Sequence, residues 1–357
     1  MSTNNSNTTW KNKAFRNTIS IISIIFAICC GSVSIAWAQA PANGDIIPGE
    51  YIVAFKKTDP PATPTAIRAL AESLVISSGG QMMYVYEYAA PGFAAKLSAR
   101  AATALRGDAR VELVEANRVI QLDPVTASTD TAKIPPATQP QSVGSWGLDR
   151  IDQRNLPLDG NYTYSLNGAG VRVYILDTGI RLTHADFGGR VIDGYDAIDG
   201  VLPTYTCPDA TPFSSHGTHV AGTVGGTTYG VAKGVTLVAV RVLDCNSSGS
   251  YASVIDGVDW VTEQKQLAPW IPAVANMSLG GPAYPLLDNA VRDSIVAGVT
   301  YAVAAGNKGL DASNFSPARV ETAITVGATA ANDKRAEVVG VWASNIGGSV
   351  SIFPPRR

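Results

Sequence analysis

Charged side chains are scarce in this sequence of 357 residues, at 16% against roughly 25% in an average soluble domain. With 46% hydrophobic residues, this balance excludes an intrinsically disordered chain, which combines high charge with low hydrophobicity. The formal net charge of −2 excludes a polybasic nucleic-acid-binding protein. Internal repeats and heptads are lacking as well, so solenoids and coiled coils are excluded. At roughly 150 residues per domain, the length suggests about two domains.

The first 40 residues have the pattern of an export signal. An uncharged, mostly apolar run over residues 19–36 follows three basic residues, Lys11, Lys13 and Arg16. Small residues around positions 36–40 are typical of signal-peptidase sites, and cleavage after Ala38 is preferred. This pattern predicts a signal peptide over residues 1–38 and a secreted protein without membrane contact after cleavage. A retained membrane anchor is the alternative, although the run is barely long enough to span a bilayer.

Cysteine is also rare, with four residues, too few for a fold built from disulfides. Two of them fall in the signal peptide, which leaves Cys207 and Cys245. In an exported chain an even pair suggests a disulfide. Two free thiols remain the alternative, because the sequence does not show how close the two Cα atoms lie.

Residues 48–123 predict a small α+β unit. Strands are expected over residues 50–55, 111–114 and 119–122, and helices over residues 64–73 and 98–107. Residues 124–145 are instead rich in Pro, Thr, Ser, Ala and Gln, a composition that opposes regular hydrogen bonding. We interpret this stretch as a linker with a processing site, since exposed linkers are where proteases cut.

From Trp146 onwards, short apolar strands alternate with helical stretches. The expected strands are 171–176, 236–240, 273–277, 300–304 and 323–326, and the expected helices are 216–224, 251–264 and 286–297. This alternation predicts an α/β fold with a doubly wound, mostly parallel sheet and helices on both faces. In such sheets ligands bind at the carboxyl ends of strands, where Asp177, Ser278-Leu279-Gly280 and Gly306-Asn307 follow the apolar runs.

Only three histidines are present. His216 and His219 share the stretch Ser215-His216-Gly217-Thr218-His219, which suits the start of a helix that presents a side chain. Two such histidines on one helix face also suit a metal, but no third ligand and no intervening Glu are present. Two core histidines are the plainer alternative. Asp177 taken alone is typical of a turn, whereas Asp177 with His216 suggests an acid–base pair that activates a serine.

Four sequence blocks then carry a resemblance to a known family: Asp177-Thr178-Gly179, His216-Gly217-Thr218-His219, residues 276–281 and residues 304–307. In their order and spacing they resemble the signature blocks of the subtilisin-like serine proteases. Residues 146–153 resemble the start of a mature proteinase K or aqualysin-type enzyme. Residues 48–123 resemble the family's propeptide, which assists folding and inhibits the enzyme. The resemblance implies a secreted serine endopeptidase with a subtilisin-like domain over residues 146–357.

Residue roles follow from the matching positions. Asp177 would orient the general base His216, and Asn307 would donate a hydrogen bond to the oxyanion. The backbone of Ser278, Leu279 and Gly280 would pair with an extended peptide, and the pocket for the residue before the cut would be lined by Ala304, Ala305 and Gly306.

The remaining candidates are less specific. His219 is expected to pack in the core and His184 to lie at the surface. Cys245 occupies a family cysteine position, whereas Cys207 lies nine residues before His216, farther upstream than the family's partner cysteine. A disulfide between them is therefore expected in an altered form.

The resemblance also implies partners. Polypeptide substrates and the chain's own propeptide are expected, with no nucleic acid, and the protein is expected to be a monomer. No cofactor is expected for catalysis. Relatives use structural calcium, but the sequence assigns no metal ligands. The mature chain is expected to begin near Ala137.

The resemblance implies a nucleophilic serine in a Gly-Thr-Ser block. No Gly-Thr-Ser sequence occurs anywhere in the chain. Family resemblance also fades after Ala336, as in a shifted reading frame or a truncated gene. The chain as written is therefore expected to lack the nucleophile-bearing segment and to be inactive. Ser278 as a substitute nucleophile is an alternative. A second alternative is a non-catalytic homologue that acts as a propeptide-type inhibitor or binding protein. A third is a protein that binds a metal or a small molecule on the same fold.

Overall fold

The computed structural model describes residues 41–122, 145–202, 207 and 215–352. The predicted signal peptide, the predicted linker apart from Ser145, and the expected mature start at Ala137 lie outside these residues. Within the described ranges, no helix is both long enough and apolar enough to cross a membrane.

Residues 41–122, here named the N-terminal module, form an antiparallel sheet with two helices on one face. The elements are β1 (Ile46–Phe55), α1 (Pro64–Ser77), β2 (Gln81–Tyr86), β3 (Gly92–Lys96), α2 (Ala99–Arg106) and β4 (Val111–Gln121). The strand order is β2-β3-β1-β4, and every neighbouring pair is antiparallel. The two stretches predicted at residues 111–114 and 119–122 belong to one continuous strand, β4. The strands β2 and β3 were not predicted from the sequence.

Local signals explain where the module's helices begin. Pro64 takes the first position of α1, where its missing N–H costs nothing, and the Thr63 side chain accepts from the Ala66 N–H. Ser98 caps α2 in the same way. Along β1 the side chains alternate between two faces: Val53 and Phe55 pack with α1 and α2, whereas Ile52 belongs to a different core.

The C-terminal region, residues 145–352, contains a six-stranded parallel sheet. Its elements begin with α3 (Trp146–Asp152), β5 (Arg172–Asp177), β6 (Val191–Asp196), α4 (His216–Gly225), β7 (Thr236–Arg241), β8 (Ser248–Ser250) and α5 (Tyr251–Leu267). They continue with β9 (Ala273–Met277), β10 (Gly281–Pro282), α6 (Pro285–Val296), β11 (Val299–Ala304), β12 (Phe315–Ser316), β13 (Ile324–Val326), β14 (Glu337–Val338) and β15 (Trp342–Ala343). The order of the parallel sheet is β13-β11-β9-β5-β7-β6.

Both faces of this parallel sheet are covered. Val173 and Ile175 of β5 pack with Ala221 of α4 on one face, whereas Tyr174 and Leu176 belong to the core that α5 and α6 complete on the other. Because side chains alternate along a strand, a strand buried on both faces is a continuous apolar run. The predicted α/β fold with helices on both faces is therefore confirmed.

The N-terminal module packs on α5 and α6 with the face of its sheet that α1 and α2 leave open. Ile52, Tyr86 and Ile120 share one apolar core with residues of these two helices. At the edge of the module, β4 pairs antiparallel with β8, Val119 opposite Ser250 and Gln121 opposite Ser248. One five-stranded antiparallel sheet thus contains strands of both the module and the C-terminal region.

The carboxylate of Asp259 on α5 is one anchor of the module. Asp259 accepts hydrogen bonds from the backbone N–H groups of Glu87, Tyr88 and Ala89, at 2.8, 2.7 and 2.6 Å. Burial raises the pKa of Asp259 to about 6, and the three N–H donors act in the opposite direction. Above pH 7 the side chain is therefore an anion that satisfies three backbone N–H donors of the module.

Replacing Asp259 with Asn is expected to weaken the docking of the module by about 2 kcal/mol or more at pH 8, since an amide cannot accept from three donors. Hydrogen exchange at the amides of residues 87–89 measures the effect, which should appear as faster exchange. Asp293→Asn is the matched control: it breaks only the ion pair with Lys57, whose side chain is 68% exposed, a pair worth about 1 kcal/mol at most. Equal exchange in both variants would contradict the anchoring role.

Candidate active site

A buried acid–base pair lies at the carboxyl end of β5. The Nδ1 atom of His216 lies 2.8 Å from each carboxylate oxygen of Asp177. The Asp177 side chain is fully buried, whereas 24% of the His216 side chain is exposed. Nδ1–H therefore donates to the carboxylate, which leaves Nε2 as an acceptor. This arrangement can take a proton from a hydroxyl group placed on the exposed side of the ring.

Local sequence allows this close approach. His216 is the first residue of α4, and Gly217 follows it directly against β5. A Cβ atom at position 217 would collide with the carbonyl oxygen of Gly179 and lie 3.0 Å from Cβ of Asp177. The Gly217 N–H also donates to Oγ1 of Thr178 at 3.1 Å. The glycine after the histidine is therefore required for the contact between the helix and the strand.

Two opposing effects set the pKa of His216. Burial lowers the pKa, and the hydrogen bond and charge of Asp177 raise it by more, so that the pKa lies above its ordinary value. The pair is thus poised to stabilise an imidazolium at the moment of proton transfer.

The exposed side of His216 faces a cleft that encloses about 570 Å³, part of it open solvent. The structure brings the predicted peptide-binding and pocket residues together around this cleft: Ser278, Leu279, Gly280, Ala304, Ala305, Gly306 and Asn307. Asp177 lies behind the imidazole and does not line the cleft. Asp177 ends β5, residues 278–280 follow β9, and residues 304–307 begin at the last residue of β11. These three strands are adjacent in the parallel sheet, as expected for a site at a carboxyl edge.

Asn345, which the sequence analysis did not single out, holds the loop that carries Asn307. This fully buried side chain accepts from the N–H groups of Lys308 and Leu310 and donates to the carbonyl of Ala305 at 2.8 Å. The loop also bends at Gly306, whose φ of +98° favours glycine. The sequence of residues 344–347 could have pointed to Asn345, but these residues fall in the stretch after Ala336 where the family resemblance fades.

The cleft already contains an extended segment of the N-terminal module. Gln121 and Leu122 line it, and beyond the β4–β8 pairing the Leu122 N–H donates to the Ser247 carbonyl at 3.1 Å. On the opposite side, the side-chain amide of Asn43 donates to the carbonyls of Gln121 and Gly280, both at 3.0 Å. The module thus pairs with β8 by backbone hydrogen bonds, as a peptide added to a sheet does, and reaches the wall at Gly280 through the Asn43 side chain.

Comparisons with known proteins agree with this geometry. The sequence model of the Subtilase family matches residues 168–350, and that of Peptidase inhibitor I9 matches residues 50–123. The chain is 45% identical over 354 residues to an extracellular serine proteinase of Thermus sp. (strain Rt41A), covering 94% of this chain and 79% of the relative. The chain belongs to the subtilase family of serine proteases. The family resemblance seen in the sequence is therefore confirmed.

Two further relatives extend the comparison. The subtilase is 46% identical over 275 residues to alkaline serine exoprotease A of Vibrio alginolyticus, of which it spans 47%. The crystal structure of a cold-adapted subtilisin-like serine proteinase matches with a TM-score of 0.52 and 48% identity, over 59% of this chain and 71% of that one. Hence this chain shares its protease family with these proteins and its fold with the crystal structure.

Other predicted residues of the subtilase have mixed outcomes. His219 is exposed on α4, so the prediction that it packs in the core is wrong: the side of α4 that faces the sheet holds Gly217 and Ala221 instead. His184 is exposed, as expected. Ser278 accepts a hydrogen bond from Asn276 at 3.0 Å and has none with His216 among the described residues. In the same ranges, no cluster of three His, Cys, Asp or Glu side chains is arranged to hold a metal ion.

Cys207 and Cys245 form a disulfide in the subtilase, with Cα atoms 5.3 Å apart and a sequence separation of 38. Cys245 follows β7 and precedes β8, the strand that pairs with the module. Cys207 precedes α4, which carries His216. The bond therefore ties the segment before α4 to the loop that leads into β8.

Replacing Asp177 with Asn is expected to lower the pKa of His216, because burial then acts without the opposing charge. An NMR titration of the imidazole signals measures the change, with the exposed His184 and His219 as internal references. The raised pKa also makes the ion pair stabilising below about pH 6.5, a contribution that is lost as the pH rises through the pKa of His216 in the folded chain. An unchanged His216 titration in the variant would contradict the pairing.

Replacing both Cys207 and Cys245 with Ser is expected to lower the free energy of unfolding by about 3 kcal/mol, since a closed loop of this length restricts the unfolded chain. Urea unfolding monitored by tryptophan fluorescence measures the loss. Reduction of the parent chain should reproduce it, whereas a reductant should not affect the double variant. A midpoint equal to that of the parent would show that the bond adds no stability.

Proposed function

We propose that this subtilase chain supplies the acid–base pair, the oxyanion donor and the substrate cleft of an exported serine endopeptidase. The observation that carries the proposal is the Asp177–His216 hydrogen bond at the rim of a cleft that already holds an extended peptide segment. Asn307 lines the same cleft, on a loop fixed from behind by Asn345.

In the proposed reaction, His216 Nε2 removes the proton of a serine hydroxyl as the serine oxygen attacks the substrate carbonyl carbon. Asp177 keeps the ring in the correct tautomer and stabilises the imidazolium. The side-chain amide of Asn307 donates to the tetrahedral oxyanion. His216 then returns the proton to the leaving amine, and water hydrolyses the acyl-enzyme by the same route.

The 357 residues contain no Gly-Thr-Ser block, the block that carries the nucleophilic serine in the family that the chain resembles. We therefore propose that these residues by themselves do not hydrolyse peptide bonds. Ser278 is a poor substitute, because its hydroxyl accepts from Asn276 and its backbone belongs to the peptide-binding edge.

Further parts of the proposal follow from the family. The export signal is removed after Ala38, the N-terminal module acts as the propeptide, and residues 124–145 contain the processing site with the mature start near Ala137. The protein is a monomer that acts on polypeptides outside the cell. The reaction needs no cofactor, and calcium would act only in stabilising the fold, with no ligands assigned.

A chimera tests the proposed activity. Residues 1–336 are fused to the nucleophile-bearing C-terminal segment of the Thermus relative, and the chimera is expected to digest casein and to react with a serine-directed fluorophosphonate. The 357-residue chain is expected to do neither. His216→Ala in the chimera should reduce turnover by several orders of magnitude, whereas His219→Ala, at an exposed position, should leave it unchanged.

Three results would contradict the proposal: an inactive but folded chimera, activity that survives His216→Ala, or casein digestion by the parent chain. The second candidate function is that of a non-catalytic inhibitor, favoured by the module's occupation of the cleft. It predicts that the parent chain slows casein hydrolysis by the Thermus relative when the two are mixed.

A further inference from the structure

A short turn at the start of the N-terminal module makes a second contact with the cleft. Residues 42–45, here named the N-terminal turn, close on themselves: the Asp45 N–H donates to the Ala42 carbonyl at 3.0 Å, and the Ala42 N–H donates to the Asp45 carboxylate at 2.8 Å. The match to Peptidase inhibitor I9 begins only at residue 50. The turn therefore lies outside the part of the module that the family model describes.

Two residues of β4 hold the N-terminal turn in place. The Gly44 N–H donates to the Val119 carbonyl at 2.8 Å, and the Val119 N–H donates to the Asp45 carbonyl at 2.9 Å. The Arg118 guanidinium donates to the Gly44 carbonyl, also at 2.8 Å. Because β4 leads directly into the segment that lies in the cleft, the turn and that segment belong to one hydrogen-bonded unit.

The side chain of Asn43 joins this unit to the wall of the cleft. Its amide nitrogen donates to the carbonyls of Gln121 and Gly280, both at 3.0 Å. Gln121 belongs to the segment in the cleft, and Gly280 belongs to the predicted peptide-binding edge. Without the amide, both carbonyls would lose this donor in a partly buried setting, where an unpaired acceptor is costly.

The backbone of the turn also packs tightly against the same wall. Gly44 has a φ of +93°, and a Cβ atom there would lie 2.6 Å from Cγ of Pro282. Pro282 is itself fixed, since the Tyr251 hydroxyl donates to its carbonyl at 2.6 Å. The turn therefore rests on a wall that is held from behind, and only glycine allows the approach.

We propose that the N-terminal turn is an autoinhibitory latch, which holds residues 121–122 in the cleft from the side opposite β8. On the β8 side the Leu122 N–H donates to the Ser247 carbonyl at 3.1 Å, and on the other side Asn43 supplies the contact. Opening of the cleft therefore requires both contacts to break. The inference rests on the proposed function, because it treats this cleft as the substrate cleft, and it adds a control on access that is separate from the anchor at Asp259.

Hydrogen exchange at the Leu122 amide tests the latch in the chain without its predicted signal peptide, residues 39–357. Asn43→Ala is expected to speed this exchange about tenfold or more, because two hydrogen bonds that hold the segment are lost. The amides of α1 should keep the rate of the parent, since the module itself remains folded. Asn332→Ala is the matched control: it makes the same change at an exposed position, where the side chain accepts from the Lys334 N–H, and it should leave Leu122 unchanged.

A pair of glycine variants separates the contact with the wall from backbone strain. Gly44→Ala and Gly49→Ala both place a side chain at a positive φ, +93° and +79°, so both strain the backbone. At position 44 the new Cβ meets Pro282, whereas at position 49 it meets nothing within 4 Å. Faster Leu122 exchange is therefore expected in Gly44→Ala and not in Gly49→Ala.

A chain that begins at Ile46, and so lacks the turn, should exchange the Leu122 amide at least as fast as Asn43→Ala. Parent-like exchange in either of them, equal effects of the two glycine variants, or equal acceleration at Leu122 and throughout α1 would overturn the latch. None of these measurements needs turnover. An inactive chimera would therefore contradict the proposed function alone, whereas the exchange rates decide the latch.

Discussion

The hydrogen bond between the buried carboxylate of Asp177 and Nδ1 of His216 is the contact on which the site depends. It requires α4 to begin directly against the end of β5, and the absence of a side chain at Gly217 makes room for that approach. The same carboxylate accepts from the Thr178 N–H at 2.7 Å. A second hydrogen bond, independent of the histidine, therefore also fixes the orientation of the carboxylate. The imidazole of His216 is therefore oriented by a carboxylate on a strand of the parallel sheet rather than by a loop.

A second constraint is the continuity of the antiparallel sheet across the N-terminal module and the C-terminal region. Because β4 pairs with β8, docking of the module and occupation of the cleft are one structural event. Asp259 holds the module from one side through three N–H groups, and Asn43 joins it to the wall at Gly280. Residues far apart in the sequence thus form a substrate-like complex within a single chain, consistent with the I9 propeptide domain that the module matches.

Much of this arrangement could be predicted from local patterns. Continuous apolar runs such as residues 173–176 marked strands buried on both faces, and the residues that follow them marked the carboxyl edge where the site lies. The prediction for His219 was wrong because helical periodicity does not by itself say which side of α4 faces the sheet. The strands β2 and β3 were missed, since β2 carries four partly buried residues between an exposed Gln81 and a buried Tyr86, without a clear alternation, and β3 has only five residues and is rich in small side chains.

The sequence by itself determined the α/β class, the family, and the pairing of an acid at a strand end with a histidine at a helix start, because these depend on side-chain periodicity and on short motifs. Only the tertiary structure decided which distant groups meet. Asn345 holds the Asn307 loop through the carbonyl of Ala305, and Asn43 joins the module to the cleft wall at Gly280. Such contacts are set by strand register and helix packing across tens to hundreds of residues, which no local pattern encodes.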